Sequence, residues 1–397
     1  MICDYLIVGA GLSGLVMAEQ LSAAGATCVL VDRRSHAGGN CHDTVDSNGL
    51  LYHPYGPHYF RTDSRAVVRY LTRFTAWRRA RYRVRALARG RLWSFPINLA
   101  TYEEMIGRPS TEKEFKSFLR NPAHARAPAN SKEAIVSRVG PDFYNLFFRD
   151  YTRKQWGRPA EGLDASVCRR VPIRANRDDR YFSDRFQAMP AQGYAAMCEK
   201  ILAACPGLDL RLNTPFEEAR LRFPHRHLIY TGPLDAYFDF HFGRLPFRSL
   251  RLELEEKSPA QLNSDGFAQA ALQINYTGVE PFTRTIEIKH VTGQVARCSN
   301  LVREFPADYV PGKTEPYYPV PSPDIERQAA LYRRAAAREP GVTFLGRLGT
   351  YRYLNMDEVV SLALQEARRL KQAHGWNTRP RLPHRRPGRF APATFVR

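Results

Sequence analysis

The chain has 397 residues, 44% of them hydrophobic and 25% charged, which is globular material with enough length for two or three domains. No apolar run approaches the roughly 20 residues needed to cross a bilayer, and MICDYLIV enters a strand at once without a basic leader, so a cytoplasmic protein is expected. The net charge of +20 is spread along the chain without the aromatic platform of a single-strand binder. That argues against nucleic acid; a solvated basic surface is the plain reading, with peripheral contact to an anionic membrane or a polyanionic partner as the alternative.

A short apolar run, Tyr5 to Val8, reads as a buried parallel strand. Gly9, Gly11 and Gly14 follow in G-x-G-x-x-G spacing and open a helix over Leu15 to Leu21, with Gly25 where a stop is expected. Cys28 to Val31 makes a second strand ending on Asp32. Such a βαβ series binds an ADP-containing dinucleotide: the glycines let backbone approach a pyrophosphate, the helix N-terminus attracts it, and the acid takes a ribose hydroxyl. The following Arg33, Arg34, Gly38, Gly39 and Asn40 form a basic, glycine-rich loop that suits an extended, resident FAD.

Tyr52 to Thr62, YHPYGPHYFRT, is rich in histidine and aromatics for a connection. Asp63 to Phe74 reads as an amphipathic helix. Tyr82 to Phe95 reads as a hairpin turning at Arg89–Gly90, with one basic face. Thr111 to Trp156 is mostly helical, broken over Arg120–Asn130, with Ser131 as a cap and a stop at Gly140–Pro141. Phe143 to Trp156 is the most aromatic helix, and the Gly, Pro and Arg after it mark a mobile loop. Arg170 to Pro190 reads as polar strand and loop, Gly193 to Ala204 as a helix, and Asp209 to Leu212 and His227 to Gly232 as strands. Leu250 to Glu256, Gln273 to Thr277 and Thr283 to His290 alternate as antiparallel strands. Thr343 to Gly349 reads as a last buried strand and Asp357 to Gln372 as the closing helix.

The expected fold is α/β. It has a discontinuous FAD-binding Rossmann-like domain (1–68, 191–238 and 320–375), a helical insertion with the mobile loop (99–165), and an antiparallel β-sheet substrate domain (69–98, 166–190 and 239–319). A basic flexible tail (376–397) ends the chain. The seven cysteines are scattered, with no C-x-x-C and no zinc spacing, so no metal site is expected.

Three constellations stand apart. The aromatic helix carries Phe147, Phe148, Tyr151 and Trp156. Arg174 and Arg284 lie inside apolar, strand-like sequence, where the planar guanidinium fork suits a phosphate. EPYYP and GRLGTYRY supply Tyr317, Tyr318, Tyr353 and Arg347. Each has an ordinary alternative in core packing or a structural ion pair.

GAGLSG with DRRSHAGGN, YGPHYFRT, SFPINL, YTRKQWG, RVPIR with DDRYFSD, NYTGVEPFTRTIEIKH, EPYYP and GRLGTYRYLNMD together resemble the UDP-galactopyranose mutase family. That resemblance implies an isomerase in which reduced FAD attacks the anomeric carbon through its N5 and interconverts UDP-galactopyranose and UDP-galactofuranose, supplying galactofuranose for surface glycans. It implies that Arg174 and Arg284 clamp the diphosphate, and that Tyr181, Tyr317 (with Tyr318 beside it) and Tyr353 bind phosphate. Phe147, Phe148 and Tyr151 match the uridine-stacking helix, Trp156 the mobile-loop tryptophan, and Asn98 and Asn275 polar contacts. His58 and Arg347 match positions near the isoalloxazine ring. Tyr353, Asn355 and Met356 match cofactor contacts, as do Gly9, Gly11, Gly14, Asp32, Arg33, Gly39 and Asn40. A UDP-sugar is the implied partner, and a homodimer is compatible with it.

The chain departs from the family pattern at Arg61, where a second histidine is usual, and at Asn355, which replaces an acid. Both are expected to make the flavin surroundings more positive. The alternatives are a mutase for another nucleotide sugar, an FAD-dependent amine oxidase-like oxidoreductase, and a non-catalytic binding protein on the same fold.

Overall fold

The computed structural model describes residues 2–120, 127–373 and 395–396. Strand β1 (Cys3–Val8), helix α1 (Leu12–Ser22) and strand β2 (Cys28–Val31) form the expected βαβ unit. β1 is almost wholly buried because it is central in a five-stranded parallel sheet. The strand order is Asp209–Arg211, β2, β1, His225–Tyr230, Val342–Phe344. Strands from three distant stretches of sequence therefore share one sheet. α1 is buried on nearly every face, packed between helices Gly193–Ala203 and Met356–Ala373.

A seven-stranded sheet lies beside this layer, in the order Tyr318–Pro319, Phe247–Lys257, Ser299–Asp308, Arg284–Ile286, Gln273–Tyr276, Val84–Ala88, Arg91–Phe95. It is antiparallel except where Gln273–Tyr276 meets Val84–Ala88. The hairpin turns at Arg89 and Gly90, both at positive φ, as its sequence predicts. A four-stranded sheet joins Phe60–Thr62, Phe186–Pro190 and Trp77–Arg79 to Phe395–Val396. Within the tail expected to be flexible, residues 395–396 pair with Trp77–Arg79, and positions 376–394 and 397 lie outside the described residues.

The helical segment runs through Leu99–Ile106, Glu112–Leu119 and Ser131–Phe143 to a π-helical stretch, Tyr144–Phe148, and then Arg149–Trp156. The cap of the third helix is Asn130, not Ser131. Its side chain accepts the Glu133 N–H at 3.0 Å, while Ser131 is buried one position inside. The break expected at Gly140–Pro141 is present, since Gly140 at φ 82° interrupts the helix. Two strands are shorter than expected. Thr283–His290 is a strand only over Arg284–Ile286, and Lys289–Thr292 turns helical. Thr343–Gly349 is a strand only to Phe344, because Gly346 at φ +77° turns the chain into the helical Gly346–Gly349.

Candidate active site

The glycine loop, the loop after β2 and the N-terminus of α1 form a cradle without side chains. No side chain caps α1 at Gly11. A Cβ on Gly14 would lie 1.9 Å from the Gly9 carbonyl oxygen, and a Cβ on Gly39 would lie 3.0 Å from the Gly11 Cα. Asp32 ties the two loops together: one carboxylate oxygen accepts the Ala10 N–H at 2.7 Å, the other the Arg34 N–H at 2.8 Å. Arg34 donates to the Asn40 side chain at 2.8 Å. The cradle offers backbone N–H groups and a helix N-terminus to a diphosphate, and space that any larger residue would fill.

The histidine-rich loop closes on itself. The His58 N–H donates to His53 Nδ1 at 2.9 Å, and His58 Nδ1 lies 2.8 Å from the Gly56 carbonyl. His53 therefore carries its proton on Nε2, 4.0 Å from Asp43, and His58 keeps a lone pair on Nε2. Burial lowers the two pKa values to about 3 for His53 and about 4 for His58, with the charge of Arg347 adding to the effect at His58. Both rings are neutral near pH 7. His58 and Arg347 thus share one neighbourhood, although 289 positions separate them in the chain.

Tyr353 lies beside Tyr318 of the edge strand Tyr318–Pro319. It keeps 42% of its surface open, with Arg170 and Arg347 each 5.0 Å above its ring and Tyr318 stacked 5.7 Å away. Burial alone would raise its phenol, but the charges of Arg170, Arg347 and Arg284 outweigh that and lower its pKa. Trp156 approaches Tyr318 at 6.3 Å. Burial raises the phenols of Tyr181 and Tyr151, the latter to about 12, so both stay protonated donors.

The two arginines singled out from sequence already have partners. Arg284 pairs with Glu304 at 2.6 Å, and Glu304 is fully buried. Arg174 lies 3.6 Å from Asp178 and donates to the Arg180 carbonyl. Arg347 donates to the carbonyls of Leu354 at 2.7 and 3.2 Å and of Tyr317 at 3.1 Å. Arg61 forks onto Asp184 at 3.0 and 3.1 Å and stacks over Phe182. Its charge is balanced on the spot, contrary to the expectation of a more positive surrounding. Arg170 is exposed and, like Arg347, meets no carboxylate among the described residues.

Several expected contacts are absorbed by structure. Phe147 and Phe148 are buried and pack on Phe95, with Trp93 also against Phe147. Asn98 is wholly buried, caps the helix Leu99–Ile106 and uses its amide on Ser94 and Pro96, so it offers no free polar group. Asn275 accepts from Gln273 at 2.7 Å. Asn355 directs its backbone and side-chain N–H groups to Glu358, and Met356 packs on the core. Tyr317 is buried, and it is Tyr318 whose ring joins Tyr353. Arg33 is exposed and pairs with Glu315.

The model of the UDP-galactopyranose mutase family matches residues 146–353, the span holding all these arginines and tyrosines except Arg33, Arg34 and Arg61. A probable UDP-galactopyranose mutase of Klebsiella pneumoniae is 34% identical, over 92% of this chain and 94% of its own. The chain belongs to the UDP-galactopyranose mutase family. A dTDP-fucopyranose mutase of Escherichia coli, 31% identical over 91% of this chain and 96% of its own, is related on the same scale. A crystal structure of reduced UDP-galactopyranose mutase shares the fold, with a TM-score of 0.70 at 18% identity over 95% of this chain and 97% of that one. A putrescine oxidase shares it more loosely, with a TM-score of 0.59 at 14% identity over 94% and 99% of the two chains.

Residues 7–74 match an NAD(P)-binding Rossmann-like domain. For a member of the mutase family the cofactor is FAD, and the side-chain-free cradle fits its diphosphate. Among the described residues no helix is long and apolar enough to cross a membrane, and no group of His, Cys, Asp and Glu could hold a metal ion.

Sequence reasoning missed Glu304, Arg170 and Lys154. Glu304 becomes meaningful only through strand register, which sets it opposite Arg284. Arg170 opens RVPIR, and nothing in the local sequence sets it apart from the other arginines there. Lys154, within YTRKQW, donates to three carbonyls, of Tyr276, Glu280 and Phe282, at 2.8, 3.0 and 3.2 Å. It pins the aromatic helix to the turn between Asn275 and Arg284.

Proposed function

We propose that this protein interconverts UDP-galactopyranose and UDP-galactofuranose with reduced FAD, in the cleft between the parallel sheet and the antiparallel sheet. The observation that supports this reading is that Arg170 and Arg347 lie over the Tyr353 ring, with the charge of Arg284 also bearing on it, all within the family match. Bound and reduced, FAD supplies the nucleophile for the anomeric carbon. The chain's own residues hold the rest of the substrate. Arg170 takes a phosphate oxygen in a charge-assisted contact, Arg174 and Arg284 add their positive charge, and Tyr181, Tyr318 and Tyr353 donate or accept hydrogen bonds. Tyr151, half-buried on the aromatic helix, is the surface for the uracil ring. His58 presents a neutral imidazole lone pair toward the cofactor side. A leaving diphosphate is stabilised in place by the same cations and can be recaptured.

The reading includes a cytoplasmic enzyme that supplies galactofuranose for surface glycans, a homodimer, and peripheral contact of its basic surface with anionic membranes. A second nucleotide sugar is favoured by one observation, the similarity to the dTDP-fucopyranose mutase. The test is an anaerobic assay of dithionite-reduced protein with UDP-galactofuranose, reading UDP-galactopyranose by chromatography. Conversion by reduced but not oxidised protein is expected. No conversion, with dTDP-fucofuranose turned over instead, would transfer the assignment to the second sugar. Oxygen consumption with an amine and no mutase activity would overturn it.

A further inference from the structure

One carboxylate joins the cofactor loop to the tyrosines of the cleft. Arg33 and Arg34 follow Asp32 directly and belong to the cradle, Arg34 through its bonds to Asp32 and Asn40. Both guanidinium groups reach the same oxygen of Glu315, Arg34 at 2.7 Å. Arg34 is also held over the Tyr55 ring at 4.2 Å. Glu315 begins the segment that carries Tyr317 and Tyr318. Its carbonyl accepts from Ser249 at 2.7 Å, and the Tyr317 N–H donates to the Arg248 carbonyl at 2.9 Å. The segment is then short, with only Tyr318–Pro319 paired to Phe247–Lys257 at the edge of the sheet. Tyr318 ends against Tyr353 and Trp156.

We propose that Glu315 is a positioning residue that couples occupancy of the dinucleotide cradle to the nucleotide-sugar site. This rests on the reading of the cleft given above. A dinucleotide bound by the cradle's N–H groups orders the loop holding Asn40 and Arg34. Through Glu315 that order extends to the two-residue edge strand and Tyr318. A ligand on Tyr318 and Tyr353 then meets a segment already in place, and by reciprocity its own binding tightens the cradle's hold on the dinucleotide. Exposed ion pairs contribute little to stability. The bridge matters here because both partners sit on short loops whose other ends line different sites.

The experiment measures the FAD dissociation constant of the holoprotein by equilibrium dialysis, without UDP and with saturating UDP. In the unaltered protein UDP should tighten FAD at least ~5-fold, the lower end of ordinary coupling. In Glu315→Gln the effect should shrink to less than about 2-fold, while UDP still binds the FAD-loaded variant. Glu161→Gln, which breaks the Lys132 ion pair on the helical segment, should keep the full effect. Should Glu315→Gln lose the fold, Arg33→Gln tests the bridge from its exposed end and must also reduce the coupling. Undiminished coupling in a folded bridge variant would overturn the proposal, as would an absence of coupling in the unaltered protein. A holoprotein that does not bind UDP at all would instead overturn the reading of the cleft.

Discussion

Arg284 and Glu304 stand opposite each other on neighbouring antiparallel strands, with guanidinium and carboxylate 2.6 Å apart and Glu304 fully buried. Burial opposes the arginine's charge, but the carboxylate outweighs it and holds the group charged. The pair is only partly satisfied. Among the described residues, Arg284 Nε and the second Glu304 oxygen have no hydrogen-bond partner.

Removing one partner leaves the other charge buried and alone. Arg284→Ala should destabilise the protein by about 3–5 kcal/mol in urea unfolding, and Glu304→Gln by less, because a neutral amide still accepts from the guanidinium. Equal losses for both variants would show that the pair is not a buried charge couple.

Arg170 lies over the Tyr353 ring, is exposed, and meets no carboxylate among the described residues. Losing a charge-assisted contact costs about 1.5–3 kcal/mol, so Arg170→Ala should raise KM for the nucleotide sugar by roughly 10- to 100-fold. Arg170→Lys should recover part of that. An unchanged KM would remove Arg170 from the substrate's contacts.

The cradle makes a visible prediction. The Cβ of Gly14→Ala would press against the Gly9 carbonyl at 1.9 Å, and the loop must move to relieve it. The variant should purify colourless or with flavin far below one per chain, read from absorbance near 450 nm. Full flavin content would refute the steric argument.

Histidine burial sets a pH dependence. The folded protein holds His53 and His58 neutral down to about 3 and about 4, whereas an unfolded histidine titrates near ~6.5. Below that value the unfolded chain binds more protons. Stability is therefore full above pH 6.5 and lost as the pH falls toward 4, by up to about 1.4 kcal/mol per pH unit for each histidine. His53→Gln should flatten the fall of the urea midpoint between pH 7 and pH 5 relative to the unaltered protein. Parallel curves would show that His53 does not carry it.

The dinucleotide unit was legible from sequence because its physics is local. Apolar runs, glycine spacing and the acid after β2 lie within 32 residues, and each acts through backbone within that span. The hairpin at Arg89–Gly90 and the closing helix were legible for the same reason. Local signals also misled where two were adjacent. Asn130 and Ser131 both suit a helix cap, and the bond to Glu133 chooses the first. TFLGRLG reads as one apolar strand, but Gly346 bends it at Leu345.

By itself the sequence determined the fold class, the cofactor cradle and membership of the mutase family, since all three rest on residue types at short spacing or in fixed order. Tertiary structure alone decided which charges are free. Pairings of Arg284 with Glu304, Arg61 with Asp184 and both cradle arginines with Glu315 span 20, 123 and about 280 positions. Whether a cation is available to a substrate depends on what folding places within a few ångströms of it. Strand register and loop closure settle that, and no local pattern encodes them.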